Sequence, residues 1–232
     1  MKIATARIAQ CFLPLILTVE LFQASAQSTL LISNLGKPSS GAIAAGNNAW
    51  LGQAFYNNGI NFSEGGRDNG FHVDSVQLLM STPIGNPNTF SVGIYSSASR
   101  REGPGPLIGF LNGPTPDSAG VYTFTAPNIT LASLTFYWLV VSGGTSVEQG
   151  SYSWNLAANN SYDSDNGSVL APYYDSSASG SLWARNGSTP LQFAVFVSAI
   201  PEPSSLALLG LGCSILFTRL ARKSRSKALS RP

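Results

Sequence analysis

The sequence predicts an all-β fold, an antiparallel β-sandwich of jelly-roll-like form, set between an N-terminal and a C-terminal helical segment. Three observations point to it. Short apolar runs recur roughly 10–15 residues apart through residues 27–199, a spacing typical of sandwiches. Several of these runs alternate apolar and polar side chains, the period of a half-buried strand. The gaps between them hold Gly-Pro clusters instead of the helical crossovers that parallel strands need.

The strands follow in order. Thr29 to Ser33 and Trp50 to Tyr56 open the body. Along Phe71 to Met80, Val76, Leu78 and Met80 alternate with Ser75, Gln77 and Leu79. Phe90, Val92 and Ile94 alternate with Ser91, Gly93 and Tyr95, and Leu107 to Leu111 and Val121 to Thr125 follow. Thr135 to Ser142 is apolar on both faces, which predicts a central strand covered on both sides. Tyr152, Trp154 and Leu156 alternate with polar neighbours, and Leu191 to Val197 closes the body. Gly103-Pro104-Gly105-Pro106 and Gly113-Pro114-Thr115-Pro116 exclude helix and read as turns. Asn57 to Gly70 and Ala157 to Gly180 read as the longest loops, and Gly41 to Asn48 as flexible punctuation.

Composition narrows the class. Of 232 residues 44% are hydrophobic and only 10% charged, against about 25% charged in ordinary soluble domains. This excludes a charge-rich disordered chain and a nucleic-acid binder working through a basic surface. The formal charge of +2 hides an asymmetry: residues 27–199 carry five Lys/Arg against nine Asp/Glu, and six basic residues crowd the last fourteen positions. Cys11 and Cys213 are the two cysteines, one near each end, so residues 27–199 contain none. No disulfide framework is possible there, and packing alone must hold the fold.

The ends read as addresses. Lys2 and Arg7, the apolar run Ile8 to Phe22 and the small-residue site Ala24-Ser25-Ala26 make a secretory signal peptide over residues 1–26, with Gln27 first after cleavage. At the other end, Pro201-Glu202-Pro203 precedes an apolar segment, residues 204–218, then a basic tail with Arg219, Arg222, Lys223 and Arg225. A span needs about 17–25 residues, and Ser204 to Leu220 reaches the lower limit only by counting Arg219, whose charge can snorkel to the headgroups. The basic tail stops transfer and stays cytoplasmic by the positive-inside rule.

Proline, glutamate, proline, apolar helix and Arg-rich end stand in the order of the PEP-CTERM sorting signal, which residues 200–232 resemble. The same tail is also labelled an ice-binding protein C-terminal domain. The resemblance implies an exported protein of a bacterium that makes extracellular polysaccharide. Its partner is an exosortase-type membrane protease that recognises the tripeptide, removes the helix and passes the body to the surface or matrix. Before processing the protein is anchored in the inner membrane. The body is similar to the β-rich choice-of-anchor domains, type R in particular, through Trp50-Leu51-Gly52-Gln53-Ala54-Phe55, Val73-Asp74-Ser75-Val76-Gln77-Leu78, Phe90-Ser91-Val92-Gly93-Ile94-Tyr95 and Tyr137-Trp138-Leu139-Val140. That family implies no catalytic residues.

Little in the body points to chemistry. His72 is the one histidine, on a strand, and no Gly-x-Ser-x-Gly elbow or phosphate-binding Gly-x-x-x-x-Gly-Lys accompanies it. Asp163-Ser164-Asp165-Asn166-Gly167 resembles half a calcium loop, but glycine falls one position early and Tyr174 stands where an EF-hand needs glutamate. Asp163 and Asp165 remain the calcium candidates, and no cofactor is expected. Tyr162, Tyr173, Tyr174 and Trp183 cluster late in the body and are the candidates for stacking on sugar rings. The expected function is therefore non-enzymatic, structural or adhesive, in an exopolysaccharide layer; the alternative is a hydrolase of the same polysaccharide. Replacing Pro201-Glu202-Pro203 by three alanines is expected to leave full-length protein in the membrane fraction on immunoblots. Unchanged processing would remove the tripeptide's assigned role.

Overall fold

The computed structural model describes residues 27–59, 70–97, 103–165, 167–177 and 179–200. The expected signal helix, its site at Ala24 and Ala26, and the tail from Pro201 through Arg225 lie outside the described residues, whereas Gln27 is inside and exposed. Within them the chain is all-β and its pairings are antiparallel.

Two sheets share one core. The first contains β1 (Thr29–Ser33), β2 (Ser39–Ala45), β4 (Phe71–Gly85), β7 (Gly120–Thr125), β8 (Thr130–Leu131), β10 (Gly150–Ala157) and β13 (Phe193–Ala199). The second runs β12 (Ala184–Asn186), β11 (Gly167–Ser176), β3 (Trp50–Asn57), β9 (Thr135–Gly143), β5 (Phe90–Ser97), β6 (Leu107–Phe110). The long strand β4 organises the first sheet. One edge pairs with β7 and β8; the other takes β13 along residues 71–78 and then β10 along residues 80–85, end to end.

The core follows from the alternation. Leu51, Phe55, Leu139 and Val141 from one sheet meet Val76, Leu78, Phe193 and Val195 from the other in one buried cluster. Phe55 reaches Phe193 across the layers with ring centres 6.1 Å apart, and Phe90 meets Tyr152 edge-on at 4.7 Å. β9 is covered on both faces, as its two-sided apolar pattern requires: Tyr137, Leu139 and Val141 face the inner core, and Trp138 and Val140 pack on the outer side. On β4 the inward set changes phase, from Phe71 and Val73 to Val76, Leu78 and Met80. A bulge opposite Phe196 and Val197 leaves Asp74 without a partner in the register, and that extra residue restores the apolar side chains to the core.

Three expectations are corrected. Gly41 to Asn48, expected as flexible punctuation, overlaps β2, a strand whose residues are mostly exposed and which is held by its register with β10. The expected long loop 157–180 contains β11, which forms a seven-pair register with β3. The strand expected over Phe71 to Met80 runs on to Gly85.

Polar side chains tie the layers. Asn34, just past β1, donates from Nδ2 to the Leu191 carbonyl (2.9 Å) and accepts the Phe193 amide at Oδ1 (2.7 Å). Gln53, inward on β3, accepts the Leu191 amide at Oε1 (2.8 Å), a bond from one sheet to the strand entry of the other. Gln192 donates to the carbonyls of Lys37 (2.8 Å) and Asn34 (3.3 Å), and its own carbonyl accepts the Trp154 indole (2.8 Å). All three amides are fully buried. Deleting one such partner strands buried groups at about 1–3 kcal/mol each, so Asn34→Ala is expected to lower unfolding free energy by about 2–5 kcal/mol in urea titrations. Lys37→Ala, which removes only the exposed ion pair to Asp163, should change it by no more than about 1 kcal/mol.

Candidate functional site

Both ends of the body leave from one end of the first sheet. β1 and β13 are antiparallel neighbours, with Thr29 opposite Val197, and the Thr29 hydroxyl donates to the Val197 carbonyl at 3.2 Å. Gln27 precedes Thr29 by two residues, and Pro201 follows Ala199 by two. At about 3.3 Å per residue, Gln27 and the first residue of the Pro-Glu-Pro tripeptide are each separated from the sheet by no more than about 7 Å of chain.

A groove of about 440 Å³ opens beside this end, lined by His72, Val73, Asp74 and the turn Thr125–Ile129. The bulge sets Asp74 so that its Oδ1 accepts the Ser198 hydroxyl at 2.8 Å, while Oδ2 is buried with no hydrogen-bond partner. His72 is exposed and shares a hydrogen bond between Nδ1 and the Thr130 hydroxyl at 3.1 Å. Serine, histidine and aspartate thus stand on adjacent strands, but the serine donates to the aspartate. A hydrolytic triad needs it to donate to the histidine.

A second feature lies on the outer face of the second sheet. Trp138, Tyr174, Ala54 and Val140 form a buried cluster flanked by Trp50, Tyr95 and Trp183. The Trp138 and Tyr174 rings meet edge-on at 4.8 Å and 77°. Trp183 lies over Gly52, where a Cβ would come within 3.2 Å of its ring and 3.1 Å of Pro104. Gly180, at φ +84°, brings the chain onto Trp50, where a Cβ would approach to 2.6 Å. The Trp138 indole nitrogen is buried and unpartnered.

These positions do not assemble the expected stacking row. Tyr173 and Tyr174 are consecutive in a strand and so face opposite ways: Tyr173 enters the inner core and Tyr174 the outer cluster, at 4% and 6% exposure. Trp183 is half-buried on that cluster, and Tyr162, 40% exposed, stands on the separate segment before Asp163. Asp163 pairs with Lys37 Nζ at 2.8 Å, and its backbone bridges Ser33. Asp165 is exposed. Ser164 fixes the turn by donating to the carbonyls of Leu31 and Gly167. Among the described residues no three His, Cys, Asp or Glu side chains gather as metal ligands.

Asp74, Ser198, Trp50 and the buried amides had not been singled out from sequence for a site or a bridging role. The one available signal was the two-sided apolar pattern at Trp138, which marks a covered outer face. Residues 199–226 match the PEP-CTERM protein-sorting motif. That motif marks an exported protein processed by an exosortase, a membrane protease, with a membrane-anchored tail before processing. Comparison with curated proteins and with solved structures returns no match for the chain.

Burial pushes the phenols of Tyr95, Tyr137, Tyr152 and Tyr173 above their ordinary value of 10.0, with the Asp175 charge adding to the rise at Tyr173. In the unfolded chain these groups ionise near 10, whereas the folded state holds them neutral. Their contribution to stability is therefore fully present below pH 10 and is lost as pH rises through the folded values. Alkaline titration should show tyrosinate absorbance rising together with loss of β circular dichroism. Ionisation of all eight tyrosines with the fold intact would contradict this assignment.

Proposed function

We propose that the protein is a non-enzymatic, structural or adhesive component of an extracellular polysaccharide layer, delivered there by its sorting tail. The observation that carries this reading is the PEP-CTERM motif at residues 199–226, which begins on the last residue of a core-forming strand. The whole body is then the cargo. Its low charge suits a hydrated glycan layer, since a nearly neutral Ser-, Asn- and Gly-rich surface carries little electrostatic bias.

The body is a jelly-roll-like sandwich of the choice-of-anchor kind. Supporting this, β1-β13-β4-β7 in one sheet and β3-β9-β5-β6 in the other interleave first, last and middle strands as two nested Greek keys do. β2 and β10, and β11 and β12, extend the two layers. The parts that meet sugar rings are the uncovered side of Trp183 and, separately, the exposed ring of Tyr162. Among the described residues Asp74 is the one carboxylate that lines the groove, whereas glycoside hydrolysis works with a pair about 5–10 Å apart.

The experiment is intact-mass analysis of the protein from its polysaccharide-producing host, followed by sedimentation of the processed species with that host's purified polysaccharide. A species starting at Gln27, ending near Pro201 and pelleting with the polysaccharide is expected. A full-length species held in the inner membrane would overturn the sorting reading. Release of reducing ends from the polysaccharide would move the assignment to the hydrolase.

A further inference from the structure

The junction between body and tail is short. β13 remains in register to its last residue: Val197 faces Thr29 on one side and Val73 on the other, Ser198 faces His72, and Ala199 faces Phe71. Ile200 alone separates this strand from Pro201. The side chain of Ser198 is fastened as well, by its 2.8 Å hydrogen bond to Asp74.

Extended peptides are commonly held through main-chain hydrogen bonds along a strand, with side-chain pockets adding specificity. The tripeptide is poor in such bonds, because Pro201 and Pro203 have no N–H. Glu202 supplies its one main-chain donor. A protease working at this sequence must therefore grip the residues just upstream, and those are engaged in the sheet. Val197, only 1% exposed and inside the core, sets the limit of easy peeling. Ser198, Ala199 and Ile200 lie beyond it. Strand ends open locally at far lower free energy than whole domains.

We propose that Ser198–Ile200 is the upstream binding segment for the sorting protease, and that processing waits on release of this segment from β4. Asp74 and Ser198 are the positioning residues that hold it. The proposal rests on the reading that the protease acts at Pro201–Pro203. Release of the strand precedes the bond cut and itself makes or breaks no covalent bond. Processing is thereby tied to the state of the folded sheet end, and the cut leaves the β13 register through Val197 intact.

The body's lack of cysteine allows a direct test in full-length protein expressed in the polysaccharide-producing host, with Cys213→Ala as background. His72→Cys with Ser198→Cys joins directly opposed residues, a separation a disulfide spans, in the oxidising compartment outside the inner membrane. Pulse-chase is expected to show the locked precursor accumulating and a reductant restoring its processing. Inserting Gly-Ser-Gly-Ser after Ile200 in the locked protein is expected to restore processing without reductant, because the new segment stands free of the sheet. Ser198→Ala, which removes one net hydrogen bond, should speed processing about fivefold. Processing of the locked protein at the unlocked rate would overturn the proposal, as would failure of the inserted segment to rescue it. Absence of processing in the unlocked protein would instead overturn the sorting assignment itself.

Discussion

The fold depends on the three residues Leu191, Gln192 and Phe193, where the chain enters its last strand. Apolar contact across a sandwich is non-directional and by itself permits the two sheets to slide or rotate. Here the Leu191 amide is fixed by Gln53 of the second sheet, the Leu191 carbonyl and Phe193 amide by Asn34, and the Gln192 carbonyl by the Trp154 indole. Hydrogen bonds demand both distance and angle, so this buried knot selects one relative placement of the layers. It also joins β10 and β13 where they meet end to end along β4, with Gln192 donating its amide to the Asn155 carbonyl and Leu79 donating to that of Gln192.

The strand so fixed is also the strand that leads into the tail. β13 lies between β1, at the beginning of the body, and β4. The first sheet therefore closes only when the opening and final segments of the body are both present on the same side of the membrane. Pairings of such sequence separation are slow to form, and no cysteine in the body holds intermediates together.

Much of the architecture was legible because apolar alternation is a local signal. The runs around Trp50, Val76, Phe90 and Trp154 became strands, and the two-sided run Thr135 to Ser142 became a strand covered on both faces. β2 was not legible: Ser39 to Ala45 offers the core only Ile43 and Ala45, too short an apolar alternation to mark a strand, and it is one because β10 offers it a backbone partner. β11 was hidden by the Ser-, Asn- and Gly-rich composition around it. The facing of the aromatic candidates was hidden for a related reason. Clustering along the chain does not report facing, and consecutive Tyr173 and Tyr174 must enter opposite layers.

The sequence by itself determined the address of this protein and the class of its fold. A sorting motif is read as a linear string, and strand periodicity is a property of neighbours along the chain, so neither needs a fold to be recognised. Tertiary structure decided what only distant residues make together. Asp74 meets Ser198 because a one-residue bulge on β4 turns it toward β13. Gln53 meets Leu191 because two sheets face each other. The last strand lies beside the first because the body's ends close the sheet, and that adjacency brings the start of β1 and the end of β13 to one end of the body.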